Sequence, residues 1–171
     1  MEKQMNERKE QYEHLLSQAI AYGKQVVVNA IIFNERREIL LLRRAAERVF
    51  LPQAWDLPGG HVKQDESLFK ALGREIHEET GWILCSIDKL VLSWDWERTT
   101  SRGALQRKRQ FDFVVSVERR KPYPVYDVRE FSGYRWLAES ETSLLMENRD
   151  SKDTWLYEVV TNAFEWRRAN G

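Results

Sequence analysis

The chain has 171 residues, enough for one domain with a substantial core, and its apolar content of 42% places it among globular rather than disordered chains. Lysine plus arginine equals aspartate plus glutamate at 27 each, a formal net charge of zero; this argues against a nucleic-acid partner, because displacing counterions from a duplex needs a basic excess, but leaves open a small anion held by local charge. The single cysteine, Cys85, excludes an internal disulfide and points to a reducing compartment, no apolar run nears the ~20 residues of a membrane span, and the start MEKQMNERKE is too polar for a secretory signal, so the expectation is a cytoplasmic protein without a membrane partner.

Residues 1–22 read as a helix, with Tyr12, Leu15, Leu16, Ala19 and Ile20 at helical spacing and Gly23 as its stop. The apolar stripe has two readings: it packs on its own domain, or it meets a second subunit in a homodimer. Its charged front, with Lys3, Arg8 and Lys9 among the acids, is an ordinary solvated face. Residues 24–33, KQVVVNAIIF, are rich in β-branched side chains and predict a strand; 34–37 make a turn and 38–44 a second strand. The stretch 45–57 is irregular, punctuated by Pro52 and Pro58. After Gly59 and Gly60 a polar loop leads to a helix over about 66–80, with Leu68, Phe69, Leu72 and Ile76 as its core stripe.

Strands are predicted over 83–96 and 107–118, joined by the loop TTSRGAL, and a short one over 132–137 after a proline-containing loop at 121–128. A short helix at 141–148 takes Ser140 as N-cap. Trp155, Leu156, Val159, Val160, Ala163 and Phe164 mark a last amphipathic helix. The order predicts an α+β fold: one mixed β-sheet with helices on both faces, an α/β/α sandwich. Residues 1–23 form an N-terminal helical extension and 24–171 the single domain.

Glu75, Glu78 and Glu79 are the conspicuous feature. Spaced i, i+3, i+4, they share one helix face, and they sit at the C-terminal end, just before Thr80-Gly81, where the helix dipole disfavours each anion by roughly 0.3–1 kcal/mol. The only nearby helical cation is Arg74. Two readings stand: a solvated acidic surface, or a ridge whose repulsion is offset by a bound cation.

The wider spacing resembles the Nudix box: Gly60, Glu66, Arg74, Glu75, Ile76, Glu78, Glu79, Gly81 and Trp82 meet every fixed position of that pattern. LPGG leading into the box and Tyr134–Trp136 in a late strand are similar to the same family, over roughly residues 25–165. The resemblance implies a Nudix hydrolase binding Mg2+, or Mn2+, through Glu75, Glu78, Glu79 and the Gly60 carbonyl. Arg74 would orient a glutamate, Glu66 would support that arrangement, and Gly59 and Gly60 would allow a tight backbone turn. The implied reaction is attack of water on one phosphorus of a nucleoside diphosphate derivative, with a small nucleotide as partner.

Glu79 is a candidate base within the box, and Glu130, before the late strand, is another; Glu97 and Asp112 are weaker alternatives. Arg43 and Arg44 are candidates to fork a phosphate, with Arg48 and the run Arg107-Lys108-Arg109 behind them. Trp55, Trp94, Trp96 and Phe111 can stack a base or fill the core. His61 and His77 flank the box, but magnesium prefers oxygen ligands. Lys63 and Asp65 depart from commoner family members, which bears on loop shape and substrate. Nucleoside triphosphates are mildly favoured as substrate. The rivals are a non-catalytic nucleotide sensor on the same fold, which typically loses box carboxylates, and a prenyl diphosphate isomerase, which needs a catalytic cysteine that Cys85 is not placed to supply.

Overall fold

The computed structural model describes residues 2–100 and 102–171, with residues 2–8 as backbone alone. Lys3 and Arg8 therefore lie outside the described side chains, and Ser101 of the predicted loop outside the described residues. In chain order the elements are α1 (Glu2–Ala21), β1 (Gln25–Ile32), β2 (Ile39–Arg44), β3 (Trp55–Asp56), β4 (Gly59–His61), α2 (Leu68–Thr80), β5 (Ile83–Thr99), β6 (Leu105–Glu118), β7 (Phe131–Leu137), a 3-10 helix at Glu139–Met146, and α3 (Trp155–Asn170). No helix among the described residues is long and apolar enough to cross a membrane.

The mixed sheet with helices on both faces is present. Its order is β4-β1-β6-β5, with β1 parallel to β6 and the other pairs antiparallel. The remaining strands do not join it: β3, β2 and β7 form a separate antiparallel sheet. Both edges of β1 are taken, by β4 and β6, so β2 has no free ladder beside it. A bridge between Phe33 and Ile39 ties the two sheets at the hairpin.

The pleat of β1 divides the core. Val26, Val28, Ala30 and Ile32, with Phe111, Phe113 and Val115 of β6, face α1 and α2. Ile31 and Val114 face the other way, toward α3 and the second sheet. Of the two readings of the α1 stripe, packing on its own domain is the one observed for Tyr12, Leu16 and Ala19, which are buried; Tyr12 meets the Phe113 ring edge-on at 5.1 Å. Ile20 differs from the expectation and is 59% exposed.

Helix α2 begins at Leu68, not at 66, because the Ser67 hydroxyl caps it by accepting the Lys70 N–H at 3.2 Å. The Glu13 carboxylate on α1 accepts the Leu68 N–H at 3.1 Å, so a second free donor of that terminus is satisfied. Leu68, Ala71, Leu72 and Ile76 are buried; Phe69, one step off that stripe, is exposed instead. Gly81 closes the helix with φ +72°, its N–H bonded to the His77 carbonyl at 2.9 Å.

Three further differences concern boundaries. The irregular stretch contains β3, and the glycine pair after it begins β4; both are too short to leave a pattern. The β5–β6 hairpin runs further into its loop than expected, and the predicted helix at 141–148 is a 3-10 helix capped at Ala138 rather than Ser140. There the Glu141 carboxylate accepts the Ala138 N–H at 3.1 Å.

Candidate active site

The C-terminal half of α2 meets the edge strand β4, and two glycines make the close approach feasible. A Cβ on Gly59 would lie 2.2 Å from the Val28 carbonyl, and one on Gly60 would lie 2.5 Å from the Glu75 carboxyl. In the space so left, Glu79 Oε2 accepts the Gly59 N–H at 2.8 Å.

Arg74 gathers the acids. Its Nε and Nη2 donate to the two oxygens of Glu66 at 2.8 and 2.9 Å, a two-pronged pair. Nη1 donates to Glu75 at 2.6 Å and reaches Glu78 at 3.4 Å, and Nη2 also donates to the His61 carbonyl at 2.9 Å. Glu66 in turn accepts the Lys63 N–H at 2.9 Å. The Arg74 guanidinium holds the Glu66 carboxyl down to about 2, although partial burial opposes this. The loop before α2 is thereby pinned to the helix that carries the acids.

Glu75 and Glu79 are buried, whereas the Glu78 side chain is 54% exposed. Burial pushes the Glu75 carboxyl up against the pull of Arg74. Burial pushes Glu79 well above the usual carboxylate range; the Gly59 amide opposes this, and the charges of Glu75, Asp56 and Glu130 add to it. Glu79 has no basic side chain within ion-pair distance among the described residues. A hard divalent cation would supply the charge this carboxylate lacks, and oxygen donors are what magnesium takes. The donor set thus fits. The side chains are not drawn together around a point: among the described residues no three His, Cys, Asp or Glu groups are gathered to hold an ion as they stand. Glu78 is the most exposed of the three acids and is held by Arg74 more weakly than Glu75, at 3.4 Å.

These acids form one wall of a cleft of about 950 Å3 between the two sheets. Arg44, Glu130 and Arg48 line it as well. Arg44 donates to the Phe50 carbonyl at 2.9 Å and lies 3.5 Å from Asp56; Arg48 lies 3.7 Å from Glu130. Arg43 points elsewhere by strand alternation: it donates to the Gln53 carbonyl at 3.2 Å, lies over the Trp55 ring, and does not line the cleft. Trp94 and Trp96 line the cleft; Phe111 is core on the opposite face. His77 is exposed outside it, and Glu97 pairs with Arg107 at 3.1 Å.

Three further groups stand at or behind the cleft: the pair of Asp56 and Arg149, which the sequence did not single out, and Asp112 and Lys108, expected only as a weaker alternative base and as part of a basic run. Asp56 is flanked by Arg44 and by Arg149, whose side chain is fully buried and also donates to the Trp55 carbonyl at 2.8 Å and Asp153 at 2.9 Å. Asp112 is buried behind the cleft, accepting from Asn29 at 2.8 Å and Gln110 at 2.9 Å, and burial pushes its carboxyl up to about 7. Lys108 is 4% exposed and bonded to His61 Nε2 at 2.7 Å. A charged residue within a strand's inward-facing set was the available signal for Asp112 and Lys108; Arg149 leaves none.

Fold, glycine turn and acid-bearing helix together define a Nudix-type domain, and the NUDIX domain family matches residues 23–159. The chain belongs to that family. It is 28% identical over 138 residues to the m7GpppN-mRNA hydrolase NUDT17 of Xenopus laevis, covering 75% of this chain and 46% of that protein. It is 28% identical over 135 residues to an RNA pyrophosphohydrolase of a Marinomonas species, covering 69% and 78% of the two. The solved structure of a MutT protein from Methanosarcina mazei Go1 superposes with a TM-score of 0.60 at 27% identity, covering 86% of this chain and 96% of that one. The chain spans less than half the length of several curated relatives it matches, 22% and 46% in two cases.

Proposed function

We propose that the chain is a magnesium-dependent pyrophosphohydrolase, with manganese as a substitute, that cleaves a nucleoside diphosphate derivative by attack of water on phosphorus. Nucleoside triphosphates are the favoured substrates. The observation that carries this reading is Glu79: a buried carboxylate with one amide donor and three acidic neighbours, in the wall of a large cleft. Glu75, Glu78, Glu79 and the Gly60 carbonyl would hold the ion. Bound there, it would neutralise phosphate oxygens and acidify water.

The remaining steps belong to the chain's own residues. Arg74, locked by Glu66, fixes Glu75 against the glycine turn. Arg44 is the phosphate-binding arginine of the 43–44 pair, since Arg43 does not reach the cleft. Glu79 or Glu130 takes the proton of the attacking water. Trp94 and Trp96 line the cleft, stacked in a row between Phe50 and Trp155, and are the aromatic side chains nearest to hand for a base. The names of two relatives refer to RNA ends, which carry the same phosphoanhydride group.

The test is turnover of a panel of nucleoside di- and triphosphates, nucleotide sugars and 5′-triphosphorylated or capped oligonucleotides, with Mg2+ or Mn2+, resolving phosphate, pyrophosphate and monophosphate products. Release of a nucleoside monophosphate, lost in Glu79→Gln, is the expected result. Binding without turnover of any compound would replace the enzyme with a sensor.

A further inference from the structure

The wall of the cleft facing the acids is built from β5 and β6. Trp94 pairs with Gln110, Trp96 with Lys108 and Arg98 with Gln106, so Trp94, Trp96 and Arg98 share a face with Lys108 and Gln110. The same pleat sorts the basic run of β6. Arg107 and Arg109 do not line the cleft; Arg107 meets Glu97 at 3.1 Å and Arg109 meets Asp95 at 2.5 Å. Lys108, between them, turns inward. Among the described residues neither Lys108 nor Arg98 has a carboxylate within ion-pair distance. Lys108 is held by the His61 imidazole at 2.7 Å and lies 4.9 Å from the centre of the Trp96 ring; Arg98 lies 4.6 Å over the Phe50 ring.

By contrast, the buried Arg149 guanidinium has Asp153, and the part-buried Arg74 has Glu66 and Glu75. A buried ammonium with only a neutral imidazole and an indole face carries the desolvation cost of an ion without its counter-charge. Its neighbour Arg98 worsens this, and burial together with Arg98 pulls the Lys108 ammonium below the usual lysine range. A cleft-lining pair of this kind is complete only when an anion enters.

We propose that Lys108 and Arg98 form a second anion subsite, which takes a phosphate of the substrate other than those held at the carboxylate ridge. Lys108 is thus a specificity-determining residue that selects nucleotides with an additional phosphate group. This rests on the hydrolase reading for its substrate, but the subsite is a property of the cleft without metal. A cationic base is disfavoured there, since the Phe50 and Trp96 faces already carry Arg44, Arg98 and Lys108.

The subsite can be read without turnover. In EDTA, inorganic triphosphate is titrated against the whole chain while tryptophan fluorescence is followed, because Lys108 lies against Trp96. A saturable change is expected in the wild type, weakened at least ~10-fold in Lys108→Met and restored in Lys108→Arg. With metal, Lys108→Met should raise KM for a nucleoside triphosphate by a similar factor, change kcat less than about threefold, and leave KM for the diphosphate little altered. Arg107→Gln, outside the cleft, should alter neither. Equal titrations for wild type and Lys108→Met, or no binding to the wild type, overturn the subsite. Lys108-dependent binding with no hydrolysis of any nucleotide would retain it and remove the hydrolase reading alone.

Discussion

Glu79, near the end of α2, accepts a hydrogen bond at 2.8 Å from the backbone N–H of Gly59, in the edge strand β4. The bond fixes one carboxylate oxygen and ties the glycine turn to the acidic helix. A glutamine can accept the same bond while carrying no charge. Glu79→Gln is therefore expected to keep the fold and to lower turnover with Mg2+ by at least ~10²-fold. Steady-state kinetics beside a thermal melt checks both halves; a folded variant with undiminished kcat would remove Glu79 from catalysis.

The two glycines should respond differently to alanine. On Gly60 the new methyl group meets the Glu75 carboxyl at 2.5 Å, the far end of a side chain that can move; on Gly59 it meets the Val28 carbonyl at 2.2 Å, which is backbone. Gly60→Ala should melt close to the wild type but displace Glu75, raising the Mg2+ concentration needed for half-maximal turnover. Gly59→Ala should lose stability by roughly 1–3 kcal/mol or more, as overpacking does. Urea denaturation of both variants separates the two effects.

Asp112 gives a pH signature. Its carboxyl is raised to about 7 by burial, from an ordinary value of 3.8, and its Oδ2 has no hydrogen-bond partner. The folded state thus binds the proton more tightly than the unfolded state. The resulting stability is complete below 3.8 and is lost as pH rises through 7. Over that window the slope from one such proton approaches about 1.4 kcal/mol per pH unit. Unfolding free energies of Asp112→Asn should lack this slope, and their difference from the wild type across the window measures it.

The Arg149 side chain is fully buried and touches Asp56, Asp153 and the Trp55 carbonyl. Arg149→Leu strands these acids, so a loss of about 3–5 kcal/mol is expected. Adding Asp56→Asn should recover part of it. A double-mutant cycle by urea denaturation reads the coupling, and additive losses would show that Arg149 acts by packing alone.

Helices and long strands were legible because their periodicity is carried by many residues. The α2 stripe of Leu68, Leu72 and Ile76 and the β-branched run of β1 are strong signals of this kind. The strands β3 and β4, two and three residues long, have no period to read. They exist because β2 and β1 offer edges for them to pair with. The carboxylate ridge and the glycine turn were visible as fixed spacings. The other side of the cleft was not, because Lys108 and Arg149 acquire meaning only from partners far along the chain. The run Arg107-Lys108-Arg109 looks uniform as a string, and only the pleat separates its middle member.

That sorting has a consequence for the protein's electric field. The 27 basic and 27 acidic residues cancel in the sum, yet the pleat and the helix face segregate them locally, so an isoelectric molecule contains a bipolar slot. A multiply charged rod entering between the walls feels torque as well as attraction. Its end-for-end orientation is thus expected to be biased by long-range forces before any hydrogen bond forms, and added electrolyte should scramble that alignment sooner than it loosens the docked molecule.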